Sequence, residues 1–184
     1  MDFGSLQSQQ HLVVRATHER GMRGFDVLAA GPGGHGTIAR LRQPRDPGQR
    51  VRPPFEIRTG ADQPVALIGG TGAVGAFTVA QPDGTVVGTI RVNRSLWELR
   101  QPQAPVVIGA DHGLAGMLRR LDQYLTTGVF LVLPYRMEFT VDGQAAFSLR
   151  RAAGPGHRFS IDVHQPWLDR RLILAQVLAL SRFH

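Results

Sequence analysis

The sequence contains no cysteine among its 184 residues. This absence excludes disulfide bonds, a thiol nucleophile, thiolate-bound zinc and iron–sulfur clusters. Histidine supplies no metal site either, because the seven histidines form no pair at helical or strand spacing. The G-x-S-x-G, H-E-x-x-H and Walker patterns are also missing. We therefore expect a protein that is not an enzyme and that has no metal, no cofactor and no catalytic residue.

Lysine is absent as well, so all 21 basic residues are arginines, against 14 acidic residues and a net charge of +7. A basic balance favours anionic partners such as nucleic acid, phospholipid headgroups or acidic proteins. The exclusive use of arginine fits selection for forked phosphate donors, and it also fits a GC-rich genome. Because the arginines are spread along the chain and do not form one run, we favour the second explanation.

Long hydrophobic runs are missing too. No stretch approaches the roughly 18 apolar residues that span a bilayer, and residues 12–14 are too few for the apolar part of a signal peptide. The length suits one domain. We expect a flexible leader over residues 1–10, a single domain over residues 11–184 and a cytoplasmic location.

Short β-branched runs separated by glycine, proline and aspartate dominate the chain and predict a mainly β fold. The strongest signals are two hairpins, over residues 75–92 and 138–150, each with an Asp-Gly turn. Together with the weaker runs they give on the order of ten to twelve strands, enough to close an antiparallel barrel or to fill a sandwich.

Two segments predict helices. Apolar residues of segment 114–125 fall on one helical face, which predicts a short helix on the barrel surface. Residues 172–180 are apolar on every side except at Gln176. Such a helix is surrounded by protein or membrane, and its apolar part is too short to cross a bilayer. The sequence therefore predicts a helix inside a closed barrel, with a core set of Leu172, Leu174, Val177 and Leu178.

A glycine-rich segment offers a different function. Gly70, Gly72 and Gly75 form a G-x-G-x-x-G pattern after an apolar run, as in a dinucleotide-binding turn. That function needs a following helix whose N-terminus receives the pyrophosphate, but the residues that follow are β-rich. We favour a loop between strands, and a nucleotide-binding oxidoreductase that uses the Gly70–Gly75 turn stays as the third functional alternative.

Two arginine pairs are the candidate anion-binding residues. Arg40 and Arg42 point to one face of a predicted strand, because alternate residues of a strand share a face. Arg91 and Arg94 form the second pair. Platforms for nucleic acid interleave basic residues with exposed aromatics, and none stand beside these pairs. Nucleic acid is therefore not an expected partner.

The assembled pattern resembles the phospholipid scramblase and LURP-one-related families, which share the tubby C-terminal-like fold. The resemblance spans residues 11–183 and rests on segments 12–14, 24–27 and 77–90, and above all on the ending. There, Phe159-Ser160-Ile161-Asp162-Val163 and Pro166-Trp167-Leu168-Asp169 precede the hydrophobic helix. The resemblance implies a twelve-stranded barrel wrapped around that helix.

The same resemblance implies a non-enzymatic barrel that binds anionic phospholipid headgroups or a membrane surface, at the periphery of the membrane, through Arg40, Arg42, Arg91 and Arg94. Calcium dependence is not expected, because few acidic residues remain in segment 162–169 and calcium takes six or more oxygen ligands. The alternative from another class is a cytoplasmic protein–protein interaction module.

Overall fold

The computed structural model shows a closed barrel of twelve antiparallel strands with two helices in the described part of the chain. The structure describes residues 3–19, 22–29, 36–44, 54–70, 75–93, 96–111, 134–152 and 158–182. In chain order the elements are α1 (Phe3–Gln7), β1 (His11–Glu19), β2 (Met22–Ala29), β3 (Thr37–Arg42), β4 (Phe55–Thr59), β5 (Pro64–Gly70), β6 (Ala76–Ala80), β7 (Val86–Asn93), β8 (Leu96–Arg100), β9 (Val107–Asp111), β10 (Tyr135–Val141), β11 (Gln144–Arg151), β12 (Arg158–Val163) and α2 (Arg170–Arg182). The predicted fold class is confirmed.

The strands follow one another around the barrel in sequence order, and β1 pairs with β12 to close it. Such an order can be built from hairpins, and Asp-Gly turns supply two of the connections, between β6 and β7 and between β10 and β11. Between β10 and β11, Asp142 and Gly143 have φ angles of 48° and 78°. A two-residue hairpin turn of type I′ requires positive φ at both positions. The two predicted hairpins, β6–β7 and β10–β11, are confirmed.

Alternation along each strand divides the side chains between the interior and the outer wall. In β12, Phe159, Ile161 and Val163 are buried, whereas the residues between them face outward. The inward side chains of the strands and the side chains of α2 form one hydrophobic core. The barrel is therefore a packed structure with its helix inside.

Helix α2 is buried on every side, and each residue from 172 to 180 is at most 2% exposed. The set includes Leu172, Leu174, Val177 and Leu178, which the sequence places in the core. Burying one leucine stabilises the fold by about 1.5–3 kcal/mol, so tertiary packing supplies most of the stability of this helix.

Glycine at one strand position allows close packing against α2. A Cβ atom at Gly88 of β7 would lie 2.5 Å from the carbonyl oxygen of Arg100 and 3.1 Å from the methyl groups of Leu172. Real Cβ atoms do not approach a backbone oxygen this closely. The absence of a side chain at Gly88 therefore lets β7 pair closely with β8 and pack closely against the helix.

The first helix is not predicted by the sequence pattern. Where that pattern predicts a flexible leader, residues 3–7 form α1, and Leu6 is fully buried in the barrel core. A five-residue segment is too short to show a helical stripe. The surface helix predicted over residues 114–125 lies outside the described residues.

Candidate anion-binding surface

The arginines predicted from the sequence lie on the outer wall of the barrel where the structure describes them. Arg40 and Arg42 lie on β3, each next to buried apolar residues, and are themselves half-buried. The Arg40 Nε atom lies 3.5 Å from Asp26 Oδ1, so this arginine has an anionic partner already. Arg91 is exposed on β7, and Arg94 lies outside the described residues.

The structure does not bring these arginines together. Strands β4, β5 and β6 separate β3 from β7. With neighbouring strands about 4.8 Å apart, Arg40 and Arg91 are about 19 Å apart along the curved wall. A single phosphate group therefore cannot contact both Arg40 and Arg91.

Glutamates on this wall are paired with arginines two residues away on the same strand. The pairs are Arg58 Nε with Glu56 Oε2 at 2.7 Å, Arg100 Nη2 with Glu98 Oε2 at 3.0 Å, and Arg136 Nη2 with Glu138 Oε1 at 2.9 Å. The hydrogen bond to Glu56, opposed by partial burial and supported by the charge of Asp62, raises the pKa of Arg58. Exposed pairs of this kind are worth about 0–1 kcal/mol. Their main effect here is to neutralise charge locally.

A different set of arginines comes together where the barrel closes. We call Arg15 of β1, Arg158 of β12 and Arg150 of β11 the arginine cluster. Arg15 is directly opposite Arg158, and Arg150 is opposite Ser160, one diagonal step from Arg158. Directly opposed side chains have Cβ atoms about 4.5–5.5 Å apart, and diagonal neighbours lie about 7–8 Å apart. Three guanidinium groups and one hydroxyl group therefore share a small area of the outer wall.

All three cluster arginines are exposed, and the residue beside each one along its strand is buried. In the described ranges, none of the three guanidinium groups has a hydrogen-bond or ion-pair partner. The carboxylates on neighbouring positions are engaged elsewhere: Asp162 with His11 at 2.8 Å, Asp26 with Arg40, and Glu138 with Arg136. Asp26, which is directly opposite Arg15 on β2, is shared with Arg40, so the three arginines of the cluster outnumber the carboxylates around them.

The sequence pattern alone does not predict this cluster. Its signal was present, because Arg15, Arg150 and Arg158 each stand at an outward position of a run that predicts a strand. What was missing was the closure of β1 on β12, which makes the first and last strands neighbours. Arginine spacing within one strand cannot reveal a cluster that spans three.

The barrel end at the start of α2 also contains arginines, but these are structural. Arg170 is 1% exposed, and its guanidinium group donates to the carbonyl oxygens of Gln9 at 2.8 Å, Leu168 at 2.5 Å and Gln165 at 3.4 Å. Burial lowers the pKa of Arg170, and the charge of Asp169 opposes this. Because Arg170 is almost fully buried and three of its hydrogen bonds go to carbonyl oxygens, an external anion cannot reach it.

Asp169 also caps this end of α2. Its Oδ1 atom accepts a hydrogen bond from the backbone nitrogen of Arg171 at 2.8 Å, as an N-cap residue does. The same carboxylate binds the Arg171 guanidinium group at 2.6 Å, and Phe3 of α1 lies under that group with 4.2 Å to the ring centroid. One face of the Arg171 guanidinium group and its N–H edge are thus used in closing the barrel.

The glycine-rich turn connects two strands that pair with each other. Gly70 at the end of β5 is opposite Phe77 of β6, and the two strands are antiparallel. Only residues 71–74 between them are outside the described part, and four residues are too few for a crossover helix. The helix N-terminus on which dinucleotide binding depends is therefore not formed at this turn.

Two further properties bear on function. The ranges that the structure describes contain no group of three histidine, aspartate or glutamate side chains that could hold a metal ion. No helix within those ranges has the length and apolarity needed to cross a membrane.

Comparison with known proteins supports the fold. No protein-family model matches the chain, and no curated protein sequence matches it. The chain is similar to a crystal structure of a protein from Arabidopsis thaliana, with 12% sequence identity and a TM-score of 0.55. The match covers 94% of this chain and 90% of the Arabidopsis chain. At this identity the similarity concerns the fold, and the function has to be argued from the surface.

Proposed function

We propose that the protein is a non-enzymatic barrel that binds anionic phospholipid headgroups with its outer wall, as a cytoplasmic protein at the periphery of a membrane. The observation that carries the proposal is the surplus of exposed arginines that form no ion pair in the described structure: Arg15, Arg91, Arg150 and Arg158. The glutamates of the outer wall are already paired. The surplus charge therefore faces solvent, where an anionic partner can reach it.

The packed interior supports binding on the outside. Helix α2 and the inward side chains of the strands form one core, so the interior is filled by the chain itself. A guanidinium group offers a fork of donors that matches phosphate oxygens. Each arginine near an anionic membrane contributes about 1 kcal/mol, and salt screens this attraction over about 10 Å.

Vesicle co-sedimentation tests the proposal. The protein is mixed with vesicles of phosphatidylcholine alone or with phosphatidylserine, at low and at high salt. We expect it to pellet only with the phosphatidylserine vesicles and to be released at high salt. Equal pelleting with both vesicle types, or none with either, contradicts the proposal.

A protein–protein interaction module is the second candidate. Leu96 on β8 and Ile108 on β9 are 47% and 45% exposed, and the register places them diagonally across the two strands. Exposed apolar neighbours favour a protein partner. If this candidate holds, a Leu96→Glu/Ile108→Glu variant loses the partner recovered by the wild-type protein and keeps its thermal stability.

A further inference from the structure

We infer that the arginine cluster, Arg15, Arg150 and Arg158, is a binding site for clustered phosphate groups. The inference deepens the proposed function: it assigns the anion-binding role to the closure of the barrel instead of to the arginines of β3 and β7. The ligand chemistry is a phosphate monoester or several phosphates close together, carried by a lipid headgroup or by a soluble molecule.

The register provides the geometry. Arg15 and Arg158 are direct cross-strand partners, and Arg150 is on the other side of β12, opposite Ser160. The strand spacing brings all three guanidinium groups within reach of one phosphate or of two neighbouring ones. Ser160, half-buried between Arg150 and Val13, adds a hydroxyl donor at the centre.

The energetics also favour a ligand. Like charges directly opposite each other on adjacent strands destabilise a sheet. Asp26, opposite Arg15 on the other side of β1, is ion-paired with Arg40 and offsets the repulsion only in part, and Arg158 forms no ion pair among the described residues. Elsewhere on the wall, Arg58, Arg100 and Arg136 are each paired with a glutamate. A bound phosphate replaces the missing carboxylate and removes the repulsion.

The position of the cluster leaves it accessible. Helix α2 begins beside Gln9 and Gln165, near the end of the barrel where His11 pairs with Asp162. Arg15 and Arg158 lie further along the same two strands, away from that closed end. A phosphate-bearing ligand can therefore approach the outer wall without disturbing the hydrogen bonds around Arg170.

Two double variants of equal charge test the site. Arg150→Gln/Arg158→Gln removes two cluster arginines. Arg58→Gln/Arg100→Gln is the matched control, because it removes the same formal charge from β4 and β8, each of which is separated from the cluster by two strands. Each protein is titrated calorimetrically with inositol hexakisphosphate and is co-sedimented with phosphatidylcholine vesicles with and without phosphatidylserine.

We expect the cluster variant to bind inositol hexakisphosphate at least about tenfold more weakly than the wild type, since a hydrogen bond to a charged group is worth about one tenfold step or more. We expect less than about a twofold loss in the control. In the absence of anion, the melting temperature of the cluster variant equals or exceeds that of the wild type, because the Arg15–Arg158 repulsion is gone. This readout distinguishes a lost ligand from a damaged fold.

The titration and the co-sedimentation together distinguish a failure of the arginine cluster as a site from a failure of the proposed membrane role. If the cluster variant loses binding to inositol hexakisphosphate and to vesicles, the result supports the site and the membrane role, with a lipid headgroup as the ligand. Binding of inositol hexakisphosphate through the cluster without vesicle binding supports the site and overturns the membrane role. Vesicle binding that the cluster variant retains overturns the site and leaves the membrane role standing. Equal losses in the two double variants, or no binding of either probe by the wild type, overturn the site.

Discussion

The side-chain Oε1 atom of Gln7 accepts a hydrogen bond from the backbone nitrogen of Arg170 at 3.1 Å, joining the first helix of the chain to the last. The Nε2 atom of Gln7 donates to the carbonyl oxygens of Leu168 at 3.1 Å and Pro166 at 3.3 Å. One glutamine thus satisfies a donor at the start of α2 and two acceptors just before it. The end of the barrel is closed by this contact.

Gln7→Ala should therefore lower the free energy of unfolding by about 1–3 kcal/mol, because it leaves the Arg170 N–H group and the Pro166 carbonyl oxygen without partners and removes one of the two donors to the Leu168 carbonyl oxygen. Urea denaturation of both proteins measures the change. Gln10→Ala is the control, since the Gln10 side chain is exposed in the same segment. Equal effects of the two substitutions would show that α1 does not stabilise the barrel.

Leu178→Asp should prevent folding. The residue is 2% exposed in the middle of α2, and an unpaired carboxylate there costs about 3–5 kcal/mol or more, a large part of the stability of a domain. Leu174→Asp should do the same. Circular dichroism and thermal melting measure the loss. The control is Leu96→Asp, because Leu96 is 47% exposed. A cooperatively folding Leu178→Asp variant contradicts a central position for the helix.

Gln176→Leu should raise the stability of the protein. Gln176 is fully buried, and neither polar atom of its side chain has a hydrogen-bond partner in the described structure. Leaving such groups unpaired costs about 1–3 kcal/mol, and leucine has a similar volume. Thermal melting measures the gain, with the exposed Gln144→Leu as the control. A lower melting temperature would mean that Gln176 holds an ordered water molecule inside the barrel.

Gly109→Ala should destabilise the barrel by about 1–3 kcal/mol through overpacking. A Cβ atom at Gly109 would lie 2.2 Å from the ring of Phe139, its partner on β10. That ring is stacked on Phe147 with centroids 4.1 Å apart and 9° between the planes, so it has little room to move. In the control Gly69→Ala, the new Cβ meets nothing within 4 Å. An equal effect of both substitutions would contradict the close contact between Gly109 and Phe139.

Much of the fold could be predicted because the physics that decides it is local. The Asp142-Gly143 turn requires a backbone conformation that few residue pairs adopt, and the flanking β-branched residues fix the hairpin. A segment that is apolar all round, as in residues 172–180, has to be enclosed. Together with the number of strands, that segment already implied a barrel with a helix inside.

The binding surface could not be predicted in the same way. The exposure of Arg15 follows from the alternation of β1, but its neighbour Arg158 follows from the pairing of the first strand with the last. Such a pairing is a global property of the fold. Arg40 and Arg42 can be predicted as neighbours because they are two positions apart on one strand, yet Arg40 already has Asp26 as a partner across β2 and β3.

The innermost element, α2, comes after all twelve strands in sequence, and β1 cannot pair with β12 until β12 has been synthesised. During synthesis, the first eleven strands therefore leave the ribosome before the helix that fills their interior has been made. Their apolar faces and the open edge of β1 stay exposed until residues up to 182 have been translated. Exposed strand edges and apolar surface favour aggregation, so the growing chain is most prone to aggregate before its last segment arrives. The pairing of β1 with β12 joins distant parts of the sequence, and contacts of this kind slow folding.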